Sequence, residues 1–253
     1  GGSTYTWSDG ISNGVSFTPP TSQTKTYTVT ATDGNGCVGT DDVDVTSNAA
    51  PVVTLTASPS TVCSGDDVVL TATGGSTYTW GPGVTAGATS ATQTVSPTTS
   101  TTYTVTGTDA TTNCTASKST TVVVNTLPNP PTTDPANVTE YCLNDPSPSP
   151  LVATASGGHT LTWYDASNNI LSTAASRTPS TTTVGTTLYK VTQTNTTTGC
   201  ESDPINITVT VHDLPNVNAG ADVEVCDGAT VVLTASGGST YTWSDGISNG
   251  VSF

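Results

Sequence analysis

"TTYTVTGTD" (Thr101–Asp109) alternates hydroxyl-bearing threonines with Tyr103, Val105 and Gly107. This period of two predicts a β-strand with one buried face and one polar face. Threonine, valine and tyrosine also favour extended backbone, because β-branched and aromatic side chains pack well on a pleated surface. The rest of the sequence carries no helical period of useful length, so we expect an all-β protein.

Three phrases recur in a fixed order around this strand. The first motif starts with cysteine, a polar residue and glycine and ends with "YTW" or "LTW". The second is a threonine-rich strand with one tyrosine. The third is a cysteine followed by a valine-rich strand. Joints that contain proline separate the units. We place two complete units at 51–126 and 127–212, the C-terminal half of a unit at 1–50 and the N-terminal half of a unit at 213–253.

The phrase "GGSTYTWSDGISNGVSF" occurs twice, at 1–17 and again at 237–253. Joined through this overlap, the two halves make one further complete unit. The sequence therefore indicates a segment of a longer polypeptide with a period of 236 residues and three units per period. The chain has no methionine, which agrees with a segment. The alternative is a single molecule whose two half-units associate end to end.

Each unit has about seven short strands separated by Gly-rich and Asp-rich turns, which is typical of an antiparallel β-sandwich. A tryptophan ends one strand of each unit, and a tyrosine lies two residues before an apolar residue in a later strand. We expect these side chains to fill the cores: Trp7, Trp80, Trp163, Trp243, Tyr27, Tyr103 and Tyr189.

These residues resemble the third-strand tryptophan and the tyrosine corner of immunoglobulin-like (Ig-like) domains. In that alignment, Ala72 and Val105 replace the inter-sheet cysteines of antibody domains. The sequence "VCSGDDVVLTATGGSTYTW" at 62–80 is similar to the sequences of tandem bacterial Ig-like repeats. These repeats occur in giant surface proteins that gliding bacteria export by type 9 secretion. Among these, the long-period repetition resembles grappling-hook filament proteins. The unit at 127–212 departs most from the pattern, with "NDPSPSPL" in place of a compact turn.

Six cysteines stand two in each complete unit and one in each half. In an extracellular all-β protein we expect them to be oxidised. The Ig-like strand directions implied by the resemblance hold Cys63 and Cys114 at opposite poles, ~25 Å apart, whereas a disulfide spans at most ~7 Å between Cα atoms. The resemblance therefore implies an interdomain Cys63–Cys200 bond. Cys37, Cys114, Cys142 and Cys226 then pair with neighbouring repeats; the alternative pairs are Cys63–Cys114 and Cys142–Cys200.

Charge argues against two classes of partner. Nineteen acidic and four basic residues give a formal charge of −15, which repels nucleic-acid phosphates and anionic lipid headgroups. We expect no nucleic-acid partner. The sequence has no apolar run of 18 residues and no signal-peptide pattern, so we expect no membrane insertion in this segment and place any export signal elsewhere in the protein.

Catalytic motifs are weak. "GISNG" at 10–14 and 246–250 matches G-x-S-x-G, but a nucleophile elbow needs a helix after the serine, and no helical pattern follows. The two histidines, His159 and His212, lack an Asp or Cys at useful spacing. We therefore expect no enzyme activity.

Carboxylates near turns and joints are weak candidates for calcium, which prefers hard oxygen ligands. None follows the EF-hand spacing, and Asp is also an ordinary turn former. We expect no cofactor otherwise. The weak calcium candidates are Asp33, Asp41, Asp42, Asp44, Asp66 and Asp67.

Together these features predict tandem Ig-like antiparallel β-sandwich domains arranged as a rod, forming a structural segment of an extracellular, cell-surface filament or stalk with a mechanical or adhesive role. Threonines such as Thr102, Thr104 and Thr106 give polar faces with little charge, so we expect several chains to associate into one filament. The alternatives are an adhesin module that binds glycans or cells and a passive spacer in a secreted polysaccharide-degrading enzyme. A cell-surface or glycan target elsewhere in the protein fits all three readings.

Overall fold

The computed structural model describes residues 2–85 and 87–253, and nearly all its regular structure is β-strand. The chain divides into two compact units, Gly1–Thr126 and Leu127–Phe253, which are described separately below. Within the described residues, no helix is both long enough and apolar enough to cross a membrane.

The first unit begins with a three-stranded antiparallel sheet. Its strands are β1 (Thr4–Trp7), β2 (Gln23–Thr32) and β3 (Val38–Ser47). They lie in the order β1-β2-β3, with Trp7 opposite Val29 and Tyr27 opposite Val43. A short 3₁₀ turn, Ser8–Gly10, follows β1.

The rest of the first unit is a two-sheet sandwich. Its strands are β4 (Thr54–Ser58), β5 (Thr61–Cys63), β6 (Val68–Thr73), β7 (Thr77–Trp80), β8 (Thr92–Val95), β9 (Thr101–Thr108) and β10 (Thr115–Asn125). One sheet has the order β4-β6-β8 and the other β5-β10-β9-β7. All pairs are antiparallel except β5 with β10, which is parallel.

The alternation of Thr101–Asp109 acts as predicted in β9. Tyr103 and Val105 are buried between the two sheets, and the threonines between them point outward. Ala72 on the opposite sheet is also buried, so the core has two small apolar side chains where antibody domains have a disulfide. Trp80 is only partly buried at the edge of this core, and its indole N–H donates to the carbonyl of Ser90 at 2.9 Å.

The second unit contains a larger sandwich. Its strands are β11 (Thr132–Thr133), β12 (Glu140–Cys142), β13 (Leu151–Thr154), β14 (His159–Tyr164), β15 (Ile170–Ser172), β16 (Ser176–Arg177), β17 (Gly185–Asn195) and β18 (Ile205–His212). One sheet has the order β11-β13-β16 and the other β12-β18-β17-β14-β15. Again the single parallel pair joins an early short strand, β12, to the last strand, β18.

Trp163 is the centre of the second core. Its side chain is fully buried among Leu151, Val191 and Val209, and its indole N–H donates to the carbonyl of Ala174 at 2.9 Å. Tyr189 on the neighbouring strand is buried beside it. The predicted fold class, all-β with antiparallel sandwich sheets, is confirmed by both cores.

Residues 213–253 have little regular structure. A 3₁₀ turn at Ser244–Gly246 and two isolated antiparallel bridges, Asn218 with Ser236 and Val232 with Ser252, organise them. Trp243 is half-buried here, as Trp7 is in the first unit. Trp7, Trp80 and Trp243 thus all lie at intermediate depth, whereas Trp163 is fully buried.

We expect Trp163→Ala to lower the free energy of unfolding of its sandwich by about 3–5 kcal/mol, because it removes a fully buried indole and leaves a cavity. Trp80→Ala is the matched control and should cost clearly less, since Trp80 is already partly exposed. Urea unfolding followed by far-UV circular dichroism measures both. Equal losses for the two variants would contradict this account of the cores.

Candidate functional site

The cysteines of each complete sandwich lie at its two ends. We call the end where the last strand finishes the exit pole and the opposite end the entry pole. Cys63 is the last residue of β5 and lies opposite Asn125, the last residue of β10. The N–H of Ser64 donates to the carbonyl of Asn125 at 2.9 Å, and that of Asp66 to the carbonyl of Cys63 at 3.1 Å. These bonds hold Cys63 at the exit pole.

The second sandwich repeats this arrangement. Cys142 ends β12 opposite His212, the last residue of β18, and the N–H of Leu143 donates to the carbonyl of His212 at 2.8 Å. The imidazole of His212 also contacts the Glu140 carboxylate, with Nε2 and Oε2 2.5 Å apart. Cys142 is thus at the exit pole of its sandwich.

The entry poles carry a tight turn before the final strand. In the first sandwich, one carboxylate oxygen of Asp109 accepts the backbone N–H groups of Thr111 and Thr112, each at 2.9 Å. The N–H of Asp109 donates to the carbonyl of Cys114, also at 2.9 Å. Asp109 therefore closes the turn that presents Cys114, and Cys114 Sγ lies 3.7 Å from the carbonyl oxygen of Asn48.

Equivalent residues close the equivalent turns elsewhere. Asp33 accepts the N–H groups of Asn35 and Cys37, each at 2.8 Å. Asn195 accepts those of Thr197 and Thr198 at 2.9 and 3.0 Å, and its own N–H donates to the carbonyl of Cys200 at 2.9 Å. The role of this Asp or Asn in closing the turn was not predicted from the sequence. The three motifs "TDGNGC", "TDATTNC" and "TNTTTGC" each have an Asp or Asn at the second position and end in cysteine, and this repetition could have indicated the role.

The backbone donors perturb the acidity of the two carboxylates. Hydrogen bonds from the N–H groups of Cys37 and Asn35 hold the pKa of Asp33 below its ordinary value of 3.8, since they favour the charged form. Those of Thr112 and Thr111 lower the pKa of Asp109 in the same way. The third turn uses a neutral amide at Asn195 and has no such charge.

The register separates the two cysteines of each sandwich. Cys63 lies beside the last residue of β10 and Cys114 just before its first, and the ten steps from Thr115 to Asn125 span about 33 Å. A disulfide needs Cα atoms within about 7 Å. The same holds in the second sandwich, where Cys142 lies near the start of β17 and Cys200 beside its last residue, and the ten steps from Gly185 to Asn195 span about 33 Å. This geometry argues against the alternative pairs Cys63–Cys114 and Cys142–Cys200.

The oxidation states of the cysteines differ. Cys63 and Cys200 are disulfide-bonded. The thiols of Cys37, Cys114, Cys142 and Cys226 are free in this chain. Cys200 is fully buried and Cys63 half-buried, whereas Cys37, Cys142 and Cys226 are exposed.

The outward face of β9 and β10 is the second surface of interest. Three pairs of hydroxyl oxygens face each other across the two strands at 2.8–2.9 Å: Thr102 with Thr121, Thr104 with Ser119, and Thr106 with Ser117. We call this row the hydroxyl ladder. Because the hydroxyls bond to each other, the face has part of its hydrogen-bonding capacity satisfied within the sheet.

The weak calcium candidates do not converge. Asp33 closes its own turn, Asp44 accepts from the hydroxyl of Thr26 at 2.6 Å, and Asp67 from that of Ser96 at 2.5 Å. Among the described residues, no group of three or more His, Cys, Asp or Glu side chains has the arrangement of a metal site. The remaining candidates are Asp41 and Asp42 on β3 and Asp66, whose carboxylate accepts from the N–H of Cys63. Calcium at a joint stays a prediction.

The residues considered for catalysis lie in a turn and at two strand ends. Ser12 of the first "GISNG" lies in a turn in which its carbonyl accepts the N–H of Val15. His159 begins β14 opposite Asn195, and His212 ends β18 opposite Cys142, so the two imidazoles lie at opposite ends of one sheet. Within the second unit, the two histidines therefore do not meet.

No family model matches the chain, and no curated protein matches it significantly. Among solved structures it is similar to the fibronectin(III)-like modules of Clostridium thermocellum CbhA, with 16% identity over 63% of this chain and 95% of that chain and a TM-score of 0.32. It is also similar to a Ca²⁺-stabilised adhesin with which an Antarctic bacterium binds ice (17%, 78% and 60%, TM-score 0.35) and to an ICAM-5 D1–D4 ectodomain fragment (14%, 85% and 68%, TM-score 0.34). These scores are low, so the fold assignment rests on the strand pairing of this chain.

The entry-pole turn predicts a specific loss of stability in acid. A depressed pKa means that Asp109 contributes stability above its ordinary pKa of 3.8 and loses it as pH falls through the lowered folded value. We expect Asp109→Ala to lower the melting temperature at neutral pH and to reduce the further loss between about pH 5 and pH 2.

Asn195→Ala is the matched control, because it removes a neutral acceptor from the equivalent turn. It should lower the melting temperature by an amount that does not depend on pH. Thermal unfolding across this pH range measures both variants. Identical pH profiles for Asp109→Ala and the unmodified chain would contradict the role given to the carboxylate.

Proposed function

We propose that the chain is a structural segment of an extracellular, cell-surface filament or stalk built from tandem Ig-like sandwiches, in which a disulfide clasps each joint. The observation that carries the proposal is the placement of one cysteine at each pole of both complete sandwiches. A cysteine at the exit pole of one sandwich then meets a cysteine at the entry pole of the next. Such a series of covalent joints suits a rod.

At the joint between the two complete sandwiches, the proposed clasp is Cys63 with Cys200. Its formation removes two protons and two electrons from two thiols, and the acceptor is an oxidising thiol–disulfide partner of the kind found outside the cell. By the repeat of 236 residues, Cys142 pairs with the Cys37 position of the next period, and Cys226 with the Cys114 position. The free thiols of those four residues in this single chain fit that proposal.

Peptide mapping of the unreduced chain tests the clasp. We expect a linked peptide containing Cys63 and Cys200, and its loss in Cys63→Ser. Cys142→Ser is the matched control at the other exit pole and should leave the linked peptide intact. Recovery of a Cys63–Cys114 or Cys142–Cys200 peptide would overturn the clasp.

Lateral association of several chains is the second part of the proposal. The hydroxyl ladder carries no full charge, so packing two such faces together removes no ion from water. The charge of −15 opposes association, but at about 0.15 M salt the screening length is only about 8 Å. Salt should therefore promote bundling.

Two glutamates in the ladder should abolish that bundling. We expect the variant Thr104→Glu, Thr106→Glu to remain single chains at salt concentrations where the unmodified chain bundles, because buried carboxylates would face each other. The matched control, Thr73→Glu with Thr94→Glu, places two carboxylates on the outward face of β4-β6-β8 and should bundle normally. Mass per length, measured by electron microscopy at low and high salt, distinguishes single chains from bundles for the unmodified chain and both variants. A single-chain mass for the unmodified chain under both conditions would refute lateral association.

The distribution of aromatic residues favours a structural role over an adhesin. Among the described residues, the aromatic side chains that are largely exposed are Tyr5, Phe17 and Phe253. All three lie in the half-units. The loops of the two complete sandwiches therefore offer few stacking surfaces for a sugar ring.

A further inference from the structure

The outward face of the second sandwich differs in chemistry from that of the first. Trp163 lies opposite Val191 as Trp80 lies opposite Val105, so the two sandwiches can be aligned strand by strand. Three positions on this face change from small or hydroxyl-bearing residues to aromatic or charged ones: Gly81 to Tyr164, Thr104 to Lys190, and Thr115 to Glu201. A tyrosine, a cation and an anion thus stand where the first sandwich carries the hydroxyl ladder and its surroundings.

These three residues line one cleft. The cleft encloses about 320 Å³, near the lower end of the size range of small-molecule sites. Its other walls are Asn168, Thr192, Ser202 and Pro204. All seven residues belong to the complete sandwich at 127–212. Lys190 is one of only four basic residues in the chain, so a cation in this cleft is not a general property of the surface.

Two hydroxyl groups hold the carboxylate of Glu201. Its Oε1 accepts the hydroxyl of Tyr164 at 2.6 Å and also that of Thr192. Burial and then the hydrogen bond to Glu201 raise the pKa of Tyr164 above its ordinary value of 10.0, so the phenol is a donor at neutral pH. Within the part of the chain that the structure describes, Oε2 accepts no hydrogen bond. One oxygen therefore orients the carboxylate, and the other faces a ligand.

The turn between β14 and β15 holds the ammonium group of Lys190. Nζ donates to the carbonyl of Ala166 at 3.1 Å and to Oδ1 of Asn168 at 2.8 Å. An ammonium group has three N–H donors, so one remains after these two bonds. Asp165 fixes the turn by accepting the N–H of Asn169 at 2.8 Å. The remaining donor of Lys190 is therefore positioned before a ligand binds.

The cleft thus combines an acceptor at Glu201, a donor at Lys190 and the half-buried ring of Tyr164. A sugar hydroxyl both donates and accepts, so neighbouring hydroxyls of one sugar ring can bond to both groups. The C–H face of the sugar ring can pack on the tyrosine ring. The opposite charges of the two polar groups compensate each other, and the net charge of −15 repels polyanions. These features favour a neutral sugar over a charged ligand.

We propose that this cleft binds one sugar unit of a neutral polysaccharide. Oε2 of Glu201 accepts from one sugar hydroxyl, Lys190 donates to another, and Tyr164 packs against the ring. Both polar groups are already held by neighbouring residues, so binding orders few side chains and loses little entropy. The site is independent of the hydroxyl ladder, whose residues lie on the first sandwich.

Affinity electrophoresis of the full chain tests the proposal. The native gels contain dextran, mannan or galactan as neutral polysaccharides, or alginate as a polyanion. We expect at least one neutral polysaccharide to retard the chain in a concentration-dependent way, which gives a dissociation constant. Alginate should cause no retardation, because its carboxylates meet an acidic protein.

Two variants change one polar group each. Glu201→Gln keeps an oxygen for Tyr164 and Thr192 but replaces the other acceptor with an N–H donor, and Lys190→Met removes the ammonium group. Each should weaken binding about tenfold or more, because a hydrogen bond to a charged group is lost. Tyr164→Ala should also weaken binding, since it removes the stacking surface.

Lys118→Met is the matched control, because it removes a cation from an exposed position of the first sandwich. It should leave the retardation unchanged. Thermal unfolding of each variant checks that the sandwich is intact. Should Tyr164→Ala fail to fold, the two charge variants still decide, since they change side chains outside the core.

Three outcomes would overturn the proposal. The first is an unmodified chain that none of the neutral polysaccharides retards. The second is retardation that persists undiminished in both Glu201→Gln and Lys190→Met, which would place binding on another surface. The third is retardation by alginate alone, which would show that the chain recognises charge and not a neutral sugar.

Discussion

The antiparallel pairing of the last two strands of each sandwich, β9 with β10 and β17 with β18, sets the position of the core and of the two poles and, in the first sandwich, of the hydroxyl ladder. Its inward side chains, such as Tyr103 and Val191, build the core. Its outward threonines and serines form the hydroxyl ladder. The turn that connects the two strands presents one cysteine, and the far end of the final strand fixes the other. One register therefore determines the core, the outer face and both poles.

Strand pattern and core were predictable from the sequence because the period of two reports directly on burial. Tyr103, Tyr189 and Trp163 are buried as expected. Trp80 and Trp163 occupy the same position in the repeated motif, but Trp80 is partly buried and Trp163 fully buried, because burial depends on the packing of the opposite sheet. The parallel pairs β5 with β10 and β12 with β18 also escaped prediction, since strand direction leaves no mark on an alternating pattern.

The poles were only partly predictable. The cysteines are evident in the sequence, but their separation depends on register, which the structure supplies. The role of Asp109 and Asn195 could have been found in the repeated spacing before cysteine, yet Asp is common enough in turns that spacing alone does not distinguish a turn closer from a metal ligand. The duplicated seventeen residues show the same dependence on context. The sequence "TYTW" forms a strand at Thr4–Trp7 but not at 240–243, because a strand needs a neighbouring strand to pair with.

The parallel pairing of β5 with β10 and of β12 with β18 decides how a sandwich responds to tension along the chain. Each pair joins a strand near the start of the domain to the strand from which the chain leaves. When the two ends are pulled apart, the backbone hydrogen bonds between such strands are sheared together, whereas a hairpin pulled at its open end loses its bonds one at a time. Shear spreads the force over all the bonds of the pair. Each sandwich would then resist extension through a short strand, β5 or β12, that places one buried side chain, Val62 or Tyr141, in the core.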